Sequence, residues 1–257
     1  MRITTLGAAF LMSTCLTAGA QAATLDVAVD SSPAGLDPHL VTAFASVVVI
    51  GDTIYEGLTA IAEDLSVQPG LAASWDISED GLSYTFHLHE GVSFHDGSAM
   101  TAEDVAASLR RVLNEEMGSP LASRISPVTD INVVDDVTIA LALDGPFAPI
   151  LTSLAGIAIV PAEMETDTES LQQVPVGTGP FMFTEWVPNA HITLTAFDGY
   201  RDSALPKVDE VKFNIVPEAA TRQVGLASGQ YDLLPGVDPA TALQLQASPG
   251  VTGEDCP

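Results

Sequence analysis

From residue 24 onward the chain runs in short apolar alternations separated by turn residues. In TLDVAVD the apolar residues Leu25, Val27 and Val29 recur at every second position, the period of a strand with one buried face. SSPAGLDPHL follows, and Pro33, Gly35 and Pro38 break regular structure there, so a loop leaves the sheet. In FASVVVIGDTIYEGLTAI, Val47, Ile50, Ile54 and Leu58 fall at helical spacing, which predicts a helix ending near Gly57. The stretch GLAASWDISEDGLSYTFHLHEGVSFHDG reads as a strand meander. It turns at Glu79-Asp80-Gly81, points Tyr84, Phe86 and Leu88 inward, and turns again at Glu90-Gly91.

SAMTAEDVAASLRRVL then switches to helical period. Thr101 is placed to cap the N-terminus and Asp104, three residues on, to answer it, with Glu103 also favourable at that end. Val105, Leu109, Val112 and Leu113 form one apolar face, which leaves Arg110 and Arg111 off it. HDGS is the turn that carries the chain from strand to helix. Further on, Ile131 to Leu143 alternates on both sides of Asp135-Asp136 as a hairpin. PFAPILTSLAGIAIVPAEM predicts a short apolar helix and a buried strand ending at Pro161. A Gly-Pro turn at Gly177 to Pro180 opens a second long hairpin, and Val208 to Val216 predicts a strand. A helix stopped by Gly229 and a strand from Tyr231 to Leu234 follow, and the ending SPGVTGEDCP predicts no docking element.

Length and composition set the class. With 257 residues and 47% hydrophobic content the chain is globular, enough for one large domain or two small ones. Residues 1–22 read as a signal peptide: Arg2, an apolar stretch too short to span a bilayer, and the small-x-small site Ala20-Gln21-Ala22. Thr14 before Cys15 speaks against a lipid anchor at that cysteine. Once the signal is removed only Cys256 remains, so no internal disulfide forms and core packing must supply the stability. The 34 acidic residues against 8 basic ones exclude nucleic acid and anionic membranes as partners, because both need clustered Lys and Arg. The acids are scattered along the chain, the pattern of a hydrated surface suited to a salty medium.

Candidate chemistry is sparse. His87 and His89 lie two apart on a strand, with His95 and Asp96 across a hairpin, so a shared metal is conceivable. The competing reading, polar residues on the wet face of a strand, asks for less. The sequence holds no phosphate-binding glycine loop, no Gly-x-Ser-x-Gly elbow and no HExxH, so it predicts neither an enzyme nor a cofactor.

The ordered set LDPH (36–39), IYEGL (54–58), PGLAASWDISEDGLSYTFHL (69–88), GVSFHDGSAMTAEDV (91–105), GTGPF (177–181) and ASGQYDL (227–233) resembles family 5 of the extracellular solute-binding proteins of ABC transporters, the dipeptide/oligopeptide/nickel-binding type. The resemblance implies an α/β periplasmic-binding-protein type II fold: a first lobe with an extra subdomain, its second lobe missing after Pro257. In those terms 23–45 and 178–257 form the core of lobe one and 46–177 its extra subdomain. It also implies a periplasmic receptor, acting as a monomer, that delivers a peptide or similar small solute to an inner-membrane ABC permease. Thr42, Ala43 and Phe44 match residues that line the peptide cleft. Leu121 matches a position where oligopeptide receptors hold a ligand-contacting tyrosine, and leucine cannot donate that hydrogen bond. The aspartate that pairs with a peptide's amino terminus belongs to the other lobe. A nickel or metal-chelate receptor of the same fold, or a fragment without transport role, are the alternatives.

Overall fold

The computed structural model describes residues 23–253, so the predicted signal peptide and Cys256 lie outside it. Strand β1 (Thr24–Val29) leads through the loop containing LDPH into helix α1 (Phe44–Ile50). A short ribbon of β2 (Thr59–Ile61) and β3 (Val67–Pro69) precedes β4 (Ala72–Ile77) and β5 (Ser83–Leu88). Helix α2 (Ala102–Leu113) and the hairpin of β6 (Val128–Asp135) and β7 (Thr138–Leu143) follow, then α3 (Ile150–Ala155) and α4 (Ser170–Gln173). The chain ends in β8 (Phe181–Val187), β9 (His191–Ala196), β10 (Glu210–Ile215), α5 (Ala219–Ser228) and α6 (Pro239–Leu245).

These strands make two four-stranded sheets. One has the order β1-β10-β9-β8, with β1 and β10 parallel and Val27 opposite Phe213; the other is the antiparallel β4-β5-β7-β6. Each sheet buries its own core. Val27, Val211, Phe213, Ile192 and Leu194 of the first pack with Val49 and Ile50 of α1, while Phe86, Ile139 and Leu141 of the second pack under Val105, Leu109 and Val112 of α2. Tyr84, Phe86 and Leu88 do face inward, as the alternation predicts. Trp75 and Trp186 pack against the second and first cores respectively.

Helix α2 begins where its capping residues place it. The Asp104 carboxylate accepts from the amide of Thr101 (2.7 Å) and from its hydroxyl (2.9 Å). Its other oxygen accepts the amide of Ala162 (2.9 Å), so the cap is also a tertiary tie.

Four expectations are corrected. Helix α1 stops at Ile50 rather than near Gly57: β-branched Val47 to Ile50 is a weak helix, and Asp52 takes a positive φ of 53° that ends it. Ile54 and Leu58 are buried all the same, in an irregular segment. Residues 157–161 form no strand, because their amides go to α2 and its surroundings: Ile159 donates to the Glu56 carbonyl and Val160 to Ser108 Oγ, both at 2.9 Å. Residues 231–234 contribute a single bridge, Leu233 against Val27. Arg111, expected off the apolar face, is fully buried.

The GTGPF turn is a clasp. Gly179 and Phe181 donate to the carbonyls of Ile54 and Thr53 at 2.9 Å, and His95 of FHDG bonds the Gly179 carbonyl through Nε2 at 2.9 Å. A Cβ at Gly177 would lie 2.1 Å from the Ile54 carbonyl oxygen, a backbone atom that cannot turn aside. Gly177→Ala is therefore expected to destabilise by about 1–3 kcal/mol in chemical denaturation. Gly97→Ala, with nothing within 4 Å but a φ of +88°, should cost only the left-handed strain, about 1–2 kcal/mol.

Candidate functional site

The LDPH loop is built around a buried ion pair. Arg111 on α2 donates from Nη2 to one oxygen of Asp37 (2.6 Å) and from Nη1 to the other (2.9 Å), and both side chains are 0% exposed. The guanidinium also donates to the carbonyls of Met164 (2.8 Å) and Asp167 (2.6 Å). Its Nη1 lies 3.0 Å from His39 Nδ1, and His39 Nε2 lies 2.8 Å from the Ala158 carbonyl. An arginine can only donate and a carbonyl can only accept, so His39 carries its proton on Nε2 and accepts at Nδ1. Burial lowers its pKa to about 4, against the Ala158 hydrogen bond and with Arg111 adding to the effect, so the imidazole is neutral at physiological pH.

This network fixes a second loop. Ser119 donates from Oγ to the His39 carbonyl (2.6 Å) and accepts the amide of Leu121 (3.2 Å). The ends of the two loops, Thr42 and Leu121, thereby meet on one cavity of about 250 Å³. Val47 and Ile50 of α1 supply apolar lining, and the 51–57 segment supplies Asp52, Tyr55 and Glu56.

That segment is anchored from behind. The Glu56 carboxylate accepts from Arg201 Nη1 (2.5 and 2.6 Å), the Tyr200 hydroxyl (3.1 Å) and the Thr178 hydroxyl (3.0 Å). Burial, then the Glu56 charge, pushes the Tyr200 hydroxyl up to about 12, so it remains a donor. Burial likewise raises the Tyr55 hydroxyl, which donates to the Leu36 carbonyl (3.4 Å).

Of the four residues the resemblance nominates, the structure brings Thr42 and Leu121 together. Leu121 is also nearly buried and belongs to the core under α2. Ala43 is exposed at the start of α1, and Phe44 is 60% exposed with its ring against Gly236, so neither lines the cavity. Two of the three candidate histidines are otherwise engaged. His87 pairs with Asp76 at 3.0 Å and His95 holds the GTGPF clasp; among the described residues no three His, Cys, Asp or Glu side chains gather as metal ligands.

The sequence profile of the bacterial extracellular solute-binding proteins, family 5, middle region, matches residues 66–255. The chain belongs to the family 5 solute-binding proteins. It is 34% identical to the glutathione-binding protein GsiB of Pectobacterium atrosepticum over 79% of this chain and 40% of that one. It is 30% identical to the dipeptide-binding protein of Escherichia coli over 96% of this chain and 51% of that one. Among solved structures, the binding protein AgaA of A. tumefaciens R10, in complex with agropinic acid, superposes with a TM-score of 0.82 at 31% identity, covering 88% of this chain and 46% of that one. DppA from Helicobacter pylori, in complex with the peptide STSA, gives 0.77 at 32% identity, covering 88% and 49%.

These neighbours share the α/β type II periplasmic-binding-protein fold, and the chain spans about half the length of the curated relatives it matches. Family 5 consists of extracytoplasmic solute-binding proteins of ABC systems rather than enzymes. Within it, LDPH, FHDG and GTGPF are here packing devices. Asp37, His39 and Arg111 escape a reading from local pattern because the ion pair joins residues 74 positions apart. LDPH could be quoted as a signature, but nothing nearby names its partner.

Proposed function

We propose that this protein is an exported receptor that binds a short peptide or similar small solute and delivers it, as a monomer, to an inner-membrane ABC permease. The cavity where Thr42 and Leu121 meet carries this reading. Its volume of about 250 Å³ is just under the roughly 300–1,000 Å³ of complete ligand pockets, as suits one wall closed by a second surface. Thr42 offers a hydroxyl and Leu121 an apolar face; Ala43 and Phe44 extend the wall outside the cavity, where an opposing surface could meet them. The relatives' names support a peptide-like solute, since one is called a dipeptide-binding protein and another was solved with the peptide STSA. The lobe core is assigned to 23–45 and 178–257 and the extra subdomain to 46–177. With His87 on Asp76 and His95 on the GTGPF clasp, the peptide reading is preferred over the nickel one.

Calorimetric titration of the full-length protein with a library of di- to pentapeptides tests this. Micromolar binding of at least one short peptide is the expected result, and heat from none of them would end the peptide assignment. Export is tested on the same preparation: N-terminal sequencing from native cells should begin at Ala23, and a retained Met1 would rule out signal cleavage.

A further inference from the structure

His95 holds the GTGPF turn by three hydrogen bonds. Its amide donates to the Gly177 carbonyl and its Nε2 to the Gly179 carbonyl, both at 2.9 Å, and its Nδ1 accepts the Gly177 amide at 3.3 Å. A carbonyl only accepts and an amide N–H only donates, so the geometry admits one form of the ring: neutral, with its proton on Nε2. A second proton has only Nδ1 to go to, where it would point at the Gly177 N–H. Protonation therefore turns one of the three ties into two opposed donors.

The surroundings give that proton little in return. The Phe197 ring meets the imidazole edge to face at 5.0 Å between centroids. Among the described residues the carboxylate acting on the ring is that of the adjacent Asp96, whose Oδ1 is already taken up by the Ser98 amide (2.9 Å) and hydroxyl (2.7 Å). On the side of the turn, the Thr178 hydroxyl goes to Glu56, whose charge Arg201 balances. Burial outweighs the Gly179 hydrogen bond and the Asp96 charge, and holds the His95 pKa below its ordinary value of 6.5.

The turn in its place holds the cavity wall. Gly179 and Phe181 donate to the carbonyls of Ile54 and Thr53, and Thr178 bonds Glu56, which lines the cavity together with Asp52 and Tyr55. We propose that the His95 clasp is an acid-sensitive switch: protonation at Nδ1 loosens the GTGPF turn and with it the 53–56 wall, so that the protein holds its solute at neutral pH and releases it as the medium acidifies. The release rests on the cavity being the solute site, as proposed above; the opening of the clasp does not. An opened clasp leaves the ring in water at its ordinary 6.5, and the closed one holds it lower. The closed form is thus fully favoured above about pH 6.5 and loses at most about tenfold per pH unit below it, until the closed form itself takes the proton.

The test is amide hydrogen exchange on the full-length protein at pH 7 and pH 5, corrected for the intrinsic effect of pH on exchange. Protection of the Gly177, Gly179 and Phe181 amides should fall by roughly 3- to 30-fold in the unmodified protein. In His95→Gln, whose side chain can donate and accept but does not titrate, the fall should vanish. Equal protection at both pH values, or the same fall in the variant, overturns the proposal. If the variant does not fold, the His95 ring signal of the unmodified protein decides by NMR: its titration should run together with the loss of protection, and titration without that loss overturns the switch. Calorimetry with L-alanyl-L-alanine reads the release. Weaker binding at pH 5 in the unmodified protein but not in the variant supports it, and equal binding at both pH values overturns it while leaving the receptor reading intact. An absence of heat at pH 7 counts against the peptide reading instead, and the clasp is then decided by exchange.

Discussion

Arg111→Met is expected to destabilise the protein by about 3–5 kcal/mol, read as a fall in the midpoint of urea unfolding. The substitution keeps most of the side-chain volume but removes both donors to Asp37, leaving a carboxylate that is 0% exposed with no cation. It also orphans the carbonyl of Asp167 and leaves that of Met164 with only the Asp167 amide as donor. The effect belongs to the broken pair rather than to arginine as such. Asp37→Leu combined with Arg111→Met should therefore recover part of the loss, since replacing both charges by apolar groups spares the desolvation of either. Arg110→Met on the same helix gives the control. Its carboxylate partners are partly exposed, so the change should stay below about 1 kcal/mol. A loss of that small size for Arg111→Met would refute the role assigned to the LDPH loop.

The second large effect depends on pH. In the unfolded chain His39 takes up a proton near pH 6.5, and in the folded protein only near pH 4. Between those values the unfolded state binds more protons, so folding stability is full above about pH 6.5, declines as pH falls, and stops declining from this group near pH 4. A separation of that size corresponds to roughly 3 kcal/mol across the window. The cause is first the burial of the ring, which disfavours its charged form, and then Arg111, whose Nη1 a protonated Nδ1 would face at 3.0 Å. Unfolding midpoints at intervals from pH 7 to pH 4 check this. His39→Gln, which cannot titrate, should flatten the curve in that window even though it lowers stability throughout. An unchanged slope in the variant would assign the acid sensitivity elsewhere.

Neighbouring residues made part of this molecule legible in its sequence. The inward set Tyr84, Phe86 and Leu88 follows from strand period, the start of α2 from Thr101 and Asp104 three residues apart, and the stop of α5 from Gly229, which sits at a φ of 74°. The ordered motifs were enough to place the chain in its family. Features that depend on distant partners stayed hidden. Helical period assigns Arg111 to water because it weighs only the helix, whereas Asp37 arrives from another part of the chain. Period also extended α1 past Gly51, because Ile54 and Leu58 are buried for tertiary reasons and happen to keep helical spacing.

Strand β1 has a consequence for the order of assembly. Its ladder neighbour is β10, with Thr24 and Glu210 separated by 186 positions, and among the described residues its other edge is met by Asp232 and Leu233: the Ala28 amide donates to the Leu233 carbonyl (3.0 Å) and the Asp26 amide to the Asp232 carboxylate (2.8 Å). A growing chain that has not yet reached Ile215 therefore offers β1 no neighbour, while the sheet of β4 to β7 already has all its strands by Leu143. The β4-β5-β7-β6 sheet can close early and locally, whereas the sheet containing β1 carries the full entropic cost of a very long loop. Strand β1 thus waits through the synthesis of some 186 further residues before its ladder neighbour exists, and must meanwhile be kept from pairing with something else.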